Sequence, residues 1–434
     1  MNKILQRFVD VRDGETSGLI GSFFYFFALL SSYYVIRPLR EEIGVAGGVN
    51  KLPWLFTGTF IATLAVLPLW GALVSWMPRR RLVPTAYRFF AVTMVLFCVL
   101  LRLPSAKSLL EPALFIWISV YNLFVVSVFW SLMADLYSAE QGRRLFGFVA
   151  AGGTAGALAG PFVASVLAPS VGPANLLFVS AAALEIASRC ASWVVRANAG
   201  DASGRDDVVT QSSADGDRPL GGSIWAGVPL LLRSSYLLTL SLHVLLFTVT
   251  ATVLYLQQAH ITSRGFTDSG LRTAFFARID LAVSVLSLLV QALGTGRIMK
   301  RIGAGWALAL VVLVTLAACG SLTASSELAV LFVAMTTRRA AGYALERPAR
   351  EVLFTVVTRE EKYKAKNFID TVVYRGGDVA TAWLQQGLGA GGIGTRAMVI
   401  GSLPVTVVWL LLIYFLGKRQ ATLAGEARAA ILGR

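Results

Sequence analysis

Apolar runs recur along the chain, each close to the roughly 20 residues that a helix needs to cross a bilayer, and short polar segments separate them. The pattern predicts helices near Ser17 to Pro38, Leu52 to Trp76, Val83 to Leu103, Pro112 to Leu136, Leu145 to Ala168 and Ala174 to Val195. A polar stretch rich in Gly, Ser and Asp then runs over 197–222 and reads as a flexible linker. Six more spans follow near Tyr236 to Gln258, Ser269 to Leu293, Ala304 to Thr323, Leu328 to Val357, Phe368 to Leu388 and Met398 to Leu416. The expected fold is an all-α integral membrane protein of about 12 transmembrane helices in two six-helix halves. Residues 1–16 read as an amphipathic N-terminus, 17–196 and 223–417 as the halves, and 418–434 as a tail.

Composition strengthens this picture and adds an orientation. Of the 434 residues, 56% are hydrophobic and only 15% charged, with a mean hydropathy of +0.67, outside the range of ordinary soluble domains. The formal net charge is +15. In the alternating scheme, Arg79-Arg80-Arg81, Arg143-Arg144, Lys300-Arg301, Lys364 with Lys366, and Lys418-Arg419 all fall on the side of the termini and linker. That side is expected to be cytoplasmic, in a bacterial inner membrane. No hydrophilic domain remains to bind nucleic acid. Cys98, Cys190 and Cys319 lie in apolar runs and are odd in number, which argues for packing rather than a disulfide framework.

Ionisable residues inside the spans carry the most information, because each costs on the order of 3 kcal/mol unless paired or wetted. The stretch Tyr33-Tyr34-Val35-Ile36-Arg37-Pro38-Leu39-Arg40-Glu41-Glu42 closes the first span, where Arg37, Arg40 and Glu41 can share a helical face with Tyr33. Pro38 supplies no backbone donor and favours a kink or an end there. The second half contributes Arg338, Arg339, Glu346-Arg347-Pro348-Ala349-Arg350-Glu351, Asp370, Arg375 and Asp378. Arginines in excess of acids imply a polyanionic ligand, with Tyr33, Tyr34, Tyr343 and Tyr374 spaced to stack on a base or bond a sugar.

Several features have plainer readings. Glu185 with Arg189, and Arg278 with Asp280, are expected to form structural ion pairs, and Asp135 to fix the loop that follows it. His243 is read as a satisfied packing residue before a proton carrier. Gly152, Gly156 and Gly160 form a small-residue face for a closely packed helix. No metal-ligand spacing, nucleophile arrangement or phosphate-binding loop occurs, so neither a metal, a cofactor nor an enzymatic activity is expected.

Two six-helix halves joined by a long loop resemble the architecture of the major facilitator superfamily. Within such carriers, Tyr34-Val35-Ile36-Arg37-Pro38-Leu39-Arg40-Glu41 resembles the end of the first span in the non-mitochondrial ATP/ADP translocases, the nucleotide transporters of plastids and intracellular bacteria. Arg347-Pro348-Ala349-Arg350-Glu351, then Glu360 to Lys366 leading to Asp370, then Arg375-Gly376-Gly377-Asp378 are similar to that family's tenth and eleventh spans. Asp378 replaces a lysine of the family pattern and Arg347 an acid. The resemblance implies a nucleotide antiporter in which Arg37, Arg40, Arg350 and Arg375 hold phosphate oxygens, Glu41 and Glu351 compensate them, and Tyr33, Tyr34 and Tyr343 complete the substrate site.

The expectation is therefore a monomeric secondary-active transporter that moves a nucleotide or related phosphorylated anion by alternating access, as an exchange, with the lipid bilayer as its surroundings. A proton-coupled carrier of another organic anion or drug is the alternative, titrating at Asp135, Asp370 or His243. A non-transporting membrane sensor is the third reading.

Overall fold

The computed structural model describes residues 11–12, 14–76, 79–198 and 227–432, and every regular element among them is helical. The N-terminal amphipathic segment therefore lies outside the described residues at 1–10 and 13, and the linker does so at 199–222. The helices are α1 (Glu15–Ala46), α2 (Leu52–Trp76), α3 (Arg79–Leu100), α4 (Lys107–Leu136), α5 (Ala139–Val171), α6 (Leu176–Ala197), α7 (Gly227–Arg233), α8 (Ser235–Gly265), α9 (Ser269–Val290), α10 (Gly296–Ala324), α11 (Leu328–Ala341), α12 (Arg347–Leu353), α13 (Arg359–Phe368), α14 (Tyr374–Ala390) and α15 (Thr395–Leu432). All twelve expected spans coincide with helical segments. Eight stretches among the described residues are by themselves long and apolar enough to cross a membrane, one of them, Ser269–Ala324, holding two of the expected spans.

Three departures from the expected helices have physical causes. Pro38 does not end α1, which continues to Ala46 because Leu39, Ile43 and Val45 beyond it are buried; packing of that last stretch outweighs one missing backbone bond. The expected tenth and eleventh spans are not single α-helices. Five-residue π-turns, Gly342–Glu346 and Ile369–Val373, link α11 to α12 and α13 to α14. Within α10, Gly303 takes φ 79°, a conformation that side-chain-bearing residues resist, and breaks the helix just before the expected start at Ala304.

Contacts divide the chain into two compact units. One comprises Met1–Gly47, Ile61–Arg218 and Phe266–Leu281, the other Gly48–Phe60, Pro219–Gly265 and Ala282–Arg434. Each unit draws one short segment from the opposite sequence half.

In the first unit α1 is the central helix and packs against α4, α5 and α6. Phe26 stacks on Phe129 with ring centroids 4.1 Å apart, and the buried Ser32 hydroxyl bonds the Tyr121 hydroxyl at 2.7 Å and the Ser180 carbonyl at 2.9 Å. The glycine face of α5 is what lets α1 approach: a Cβ at Gly152 would collide with the Phe23 carbonyl oxygen, and one at Gly156 with that of Phe27. Because the obstacle is backbone, Gly156→Ala is expected to cost about 1–3 kcal/mol through overpacking. The measurement is the melting temperature of the detergent-solubilised protein, and an unchanged value would show that α1 and α5 can part without loss.

Beside the start of α1, a capping box joins Ser138 and Gln141, and Glu15 accepts hydrogen bonds from Gln141 at 2.9 Å and from Arg144 at 2.9 and 3.2 Å. In the second unit, Trp409, Leu237, Leu240, Val244 and Phe354 form the apolar core between α8, α10, α12 and α15. Gly305 and Gly417 bring α10 and α15 into direct backbone contact.

Candidate functional site

The residues singled out from the sequence gather in two clusters, one in each unit. In the first, α1 carries Tyr33 and Tyr34 with ring centroids 5.2 Å apart, and the Arg37 guanidinium lies 5.7 Å from the Tyr34 ring centre. Arg37 Nε is 3.7 Å from Oδ2 of Asp280 on α9. Arg40 donates through Nε to the Ser119 hydroxyl at 2.9 Å and through Nη1 to Glu41 Oε1 at 3.3 Å, while its guanidinium covers the Phe115 ring at 3.9 Å. Arg40 is thus held on three sides by its own unit.

Asp280 pairs with Arg37, whereas the Arg278 expected to be its partner points to another face. Residues two apart on a helix point to different faces, and Arg278 is exposed while Asp280 is buried. Glu185 and Arg189 do pair, at 3.1 Å, with Arg88 also 3.8 Å from Glu185. Sequence reasoning missed the best-formed ion pair of this unit: Arg272 of α9 bonds Glu42 of α1 through Nε and Nη2, both at 2.8 Å, and donates from Nη1 to the Phe266 carbonyl at 2.9 Å. Nothing in local spacing could have revealed it, since the partners are 230 residues apart.

The second cluster is built where the two π-turns interrupt the tenth and eleventh spans. A π-turn widens the helix and often accompanies functional sites. Arg350 lies 3.3 Å from Glu346 Oε1 and 3.2 Å from Asp370 Oδ1. Glu346 is 2% exposed, and its Oε1 also faces Nε2 of His243 at 3.8 Å. Trp409 donates from Nε1 to His243 Nδ1 at 2.9 Å, so the imidazole carries its proton on Nε2, toward Glu346.

Around that chain sit cations on aromatic faces. Arg347 lies 4.6 Å from the Tyr343 ring centre and Arg375 lies 5.8 Å from that of Tyr374. Arg375 reaches Asp378 at 3.7 Å, and Asp378 accepts a 2.8 Å bond from Thr252 on α8. The direct partner of Glu351 is Lys366, which donates two 2.7 Å bonds to it at the exposed side of α12, while Arg350 lies against Glu346 and Asp370; neighbouring residues on a helix face apart. Asp135 is exposed in the last turn of α4.

Planar guanidinium groups are able to hold oxygen pairs and tyrosine faces a flat ring, so the arrangement is chemically suited to an anion. Sequence reasoning had placed Arg350, Arg375 and Tyr343 here; Glu346, Trp409 and Thr252 were not foreseen as their supports.

Comparison with known proteins bears on the whole chain. Residues 18–362 match the family model of the Major Facilitator Superfamily. No curated protein matches by sequence. Among solved structures, the nucleoside transporter NupG is similar with a TM-score of 0.62 at 12% identity, covering 93% of this chain and 98% of that one. A POT family transporter in complex with a thioalcohol-conjugated peptide gives 0.61 at 13% identity, with 93% and 96% covered. A bacterial homologue of the iron transporter ferroportin, in an inward-facing state, gives 0.60 at 13% identity, with 93% and 98% covered. At such identities the likeness establishes the fold.

Proposed function

The chain belongs to the Major Facilitator Superfamily, and from that premise we propose that this secondary transporter exchanges a nucleotide of the ATP/ADP type, or a related phosphorylated anion, by alternating access. The observation that supports the reading best is the second-unit cluster, in which Arg347 and Arg375 lie over Tyr343 and Tyr374 beside the buried Arg350. Guanidinium forks grip phosphate oxygens in pairs, and tyrosine rings stack on a base. The motif resemblance of 347–378 to the non-mitochondrial ATP/ADP translocases points to the same substrate class. Both termini lie on the cytoplasmic side in this reading, where basic loops accumulate. The chain works as a monomer in the bacterial inner membrane, with its two six-helix halves as the moving parts.

Exchange follows from charge. A site rich in guanidinium groups crosses the bilayer at lower cost when an anion accompanies it, so the loaded carrier reorients faster than the empty one. The test is uptake of labelled ATP and ADP into proteoliposomes containing the purified protein. Saturable uptake that unlabelled internal nucleotide accelerates is the expected result; no saturable uptake under either condition sinks the proposal.

One observation favours a second reading. His243, Glu346 and Asp370 lie along one line of close contacts joined by Arg350 through the second unit, which would suit a proton-coupled carrier. Accumulation driven by a pH gradient with no internal counter-substrate distinguishes that mechanism from exchange.

A further inference from the structure

Arg338 differs from every other arginine of the second cluster. It stands in the last turn of α11, immediately before the π-turn, and is 7% exposed. Its Nε has no hydrogen-bond partner, and among the described residues the side chain makes no ion pair. Its guanidinium lies against the Phe247 ring, 5.4 Å from the centroid. The ionisable side chains that lie near enough to influence it are Tyr374, Cys319, Arg339 and Tyr343. None of these is a carboxylate, and Arg339 carries the same sign.

The carboxylates of the cluster have other partners. Glu346 serves Arg350 and His243, Asp370 serves Arg350, and Asp378 serves Arg375 and Thr252. A buried guanidinium without a counter-charge is among the most expensive groups a membrane helix can hold. A cation–π contact recovers only part of that cost. Phe247 supports the guanidinium, and Tyr343 and Tyr374 lie near enough to influence it.

We propose that Arg338 is the principal anion-binding residue of the site and takes a phosphate group of the substrate as its counter-charge. The proposal rests on the reading of this chain as an anion carrier and reassigns the grip within it. Arg350, neutralised by two carboxylates, is a positioning residue that holds α12 to the eleventh span. Arg338 has its full charge left for a ligand.

The experiment is a thermal-shift titration of the purified full-length protein with inorganic phosphate and, separately, with ATP, for the parent, Arg338→Met and Arg338→Lys. Both anions are expected to stabilise the parent. Arg338→Met, which keeps the length of the side chain and removes an unpaired charge, should lose the anion-induced shift. Arg338→Lys keeps the charge without the planar fork and should weaken phosphate binding about tenfold. A phosphate shift of parental size in Arg338→Met overturns the assignment. If that variant does not fold, Arg338→Lys decides, and unchanged phosphate affinity overturns it. A phosphate shift that depends on Arg338 while ATP has no effect supports the site and removes the nucleotide reading; no shift with either anion in the parent overturns both.

Discussion

Arg350→Ala is expected to cost about 3–5 kcal/mol of stability, the penalty typical of removing one partner from a buried ion pair. The guanidinium answers two carboxylates at once, Glu346 at 3.3 Å and Asp370 at 3.2 Å, and Glu346 is almost wholly enclosed. With Arg350 gone, Glu346 loses its nearest cation and keeps a 3.8 Å approach to His243. The variant should melt well below the parent in detergent, and any loss of transport would then come with a loss of structure. Adding Glu346→Gln to Arg350→Ala removes the stranded charge and should recover a substantial part of the deficit, a coupling that a double-mutant cycle measures directly. If Arg350→Ala melts with the parent, the pair is not satisfying a buried charge and Arg350 returns to the list of direct substrate ligands.

Arg272→Ala is expected to have a comparable effect in the other unit, again about 3–5 kcal/mol for a stranded buried carboxylate. Glu42 is 4% exposed and receives both of its 2.8 Å bonds from Arg272. The same arginine also satisfies the Phe266 carbonyl ahead of α9, so its loss frees two acceptors. The bridge matters because it holds the start of α9 to the end of α1, two segments from opposite sequence halves that share one compact unit. Arg272→Lys separates charge from geometry: it keeps the sign but cannot make the two-toothed contact, and it should recover less than half of the lost stability. Protease accessibility of the segment around Phe266, compared between parent and variant, shows whether the bridge closes that segment. Equal accessibility would mean that apolar packing holds α9 without it.

Most of the architecture was legible because a bilayer imposes a simple rule on a chain. Backbone groups must be satisfied within the helix and side chains must be apolar over a fixed length. That rule placed all twelve helical segments, and the spacing of Gly152, Gly156 and Gly160 placed the face on which α1 lies. Where the rule weakens, so did the reading. The tenth and eleventh spans carry charges, and their π-turns alter the register by part of a turn, which a pattern read at 3.6 residues per turn does not anticipate.

The candidate site divides in the same way. Residue type alone identified a chain with more arginines in its spans than a scaffold needs, and local order put Tyr343, Arg347 and Arg350 on one stretch. Which arginine is neutralised is a property of tertiary structure, because a counter-charge arrives from any helix that packs nearby. Asp280 chose Arg37 over Arg278, Glu351 chose Lys366 over Arg350, and Glu42 found Arg272 far along the chain. Sequence by itself determined the membrane fold, through composition and periodicity. Only the packed structure decided that Arg350 is paired and Arg338 is not, because burial and distance set the cost of a charge and neither is written in the order of residues.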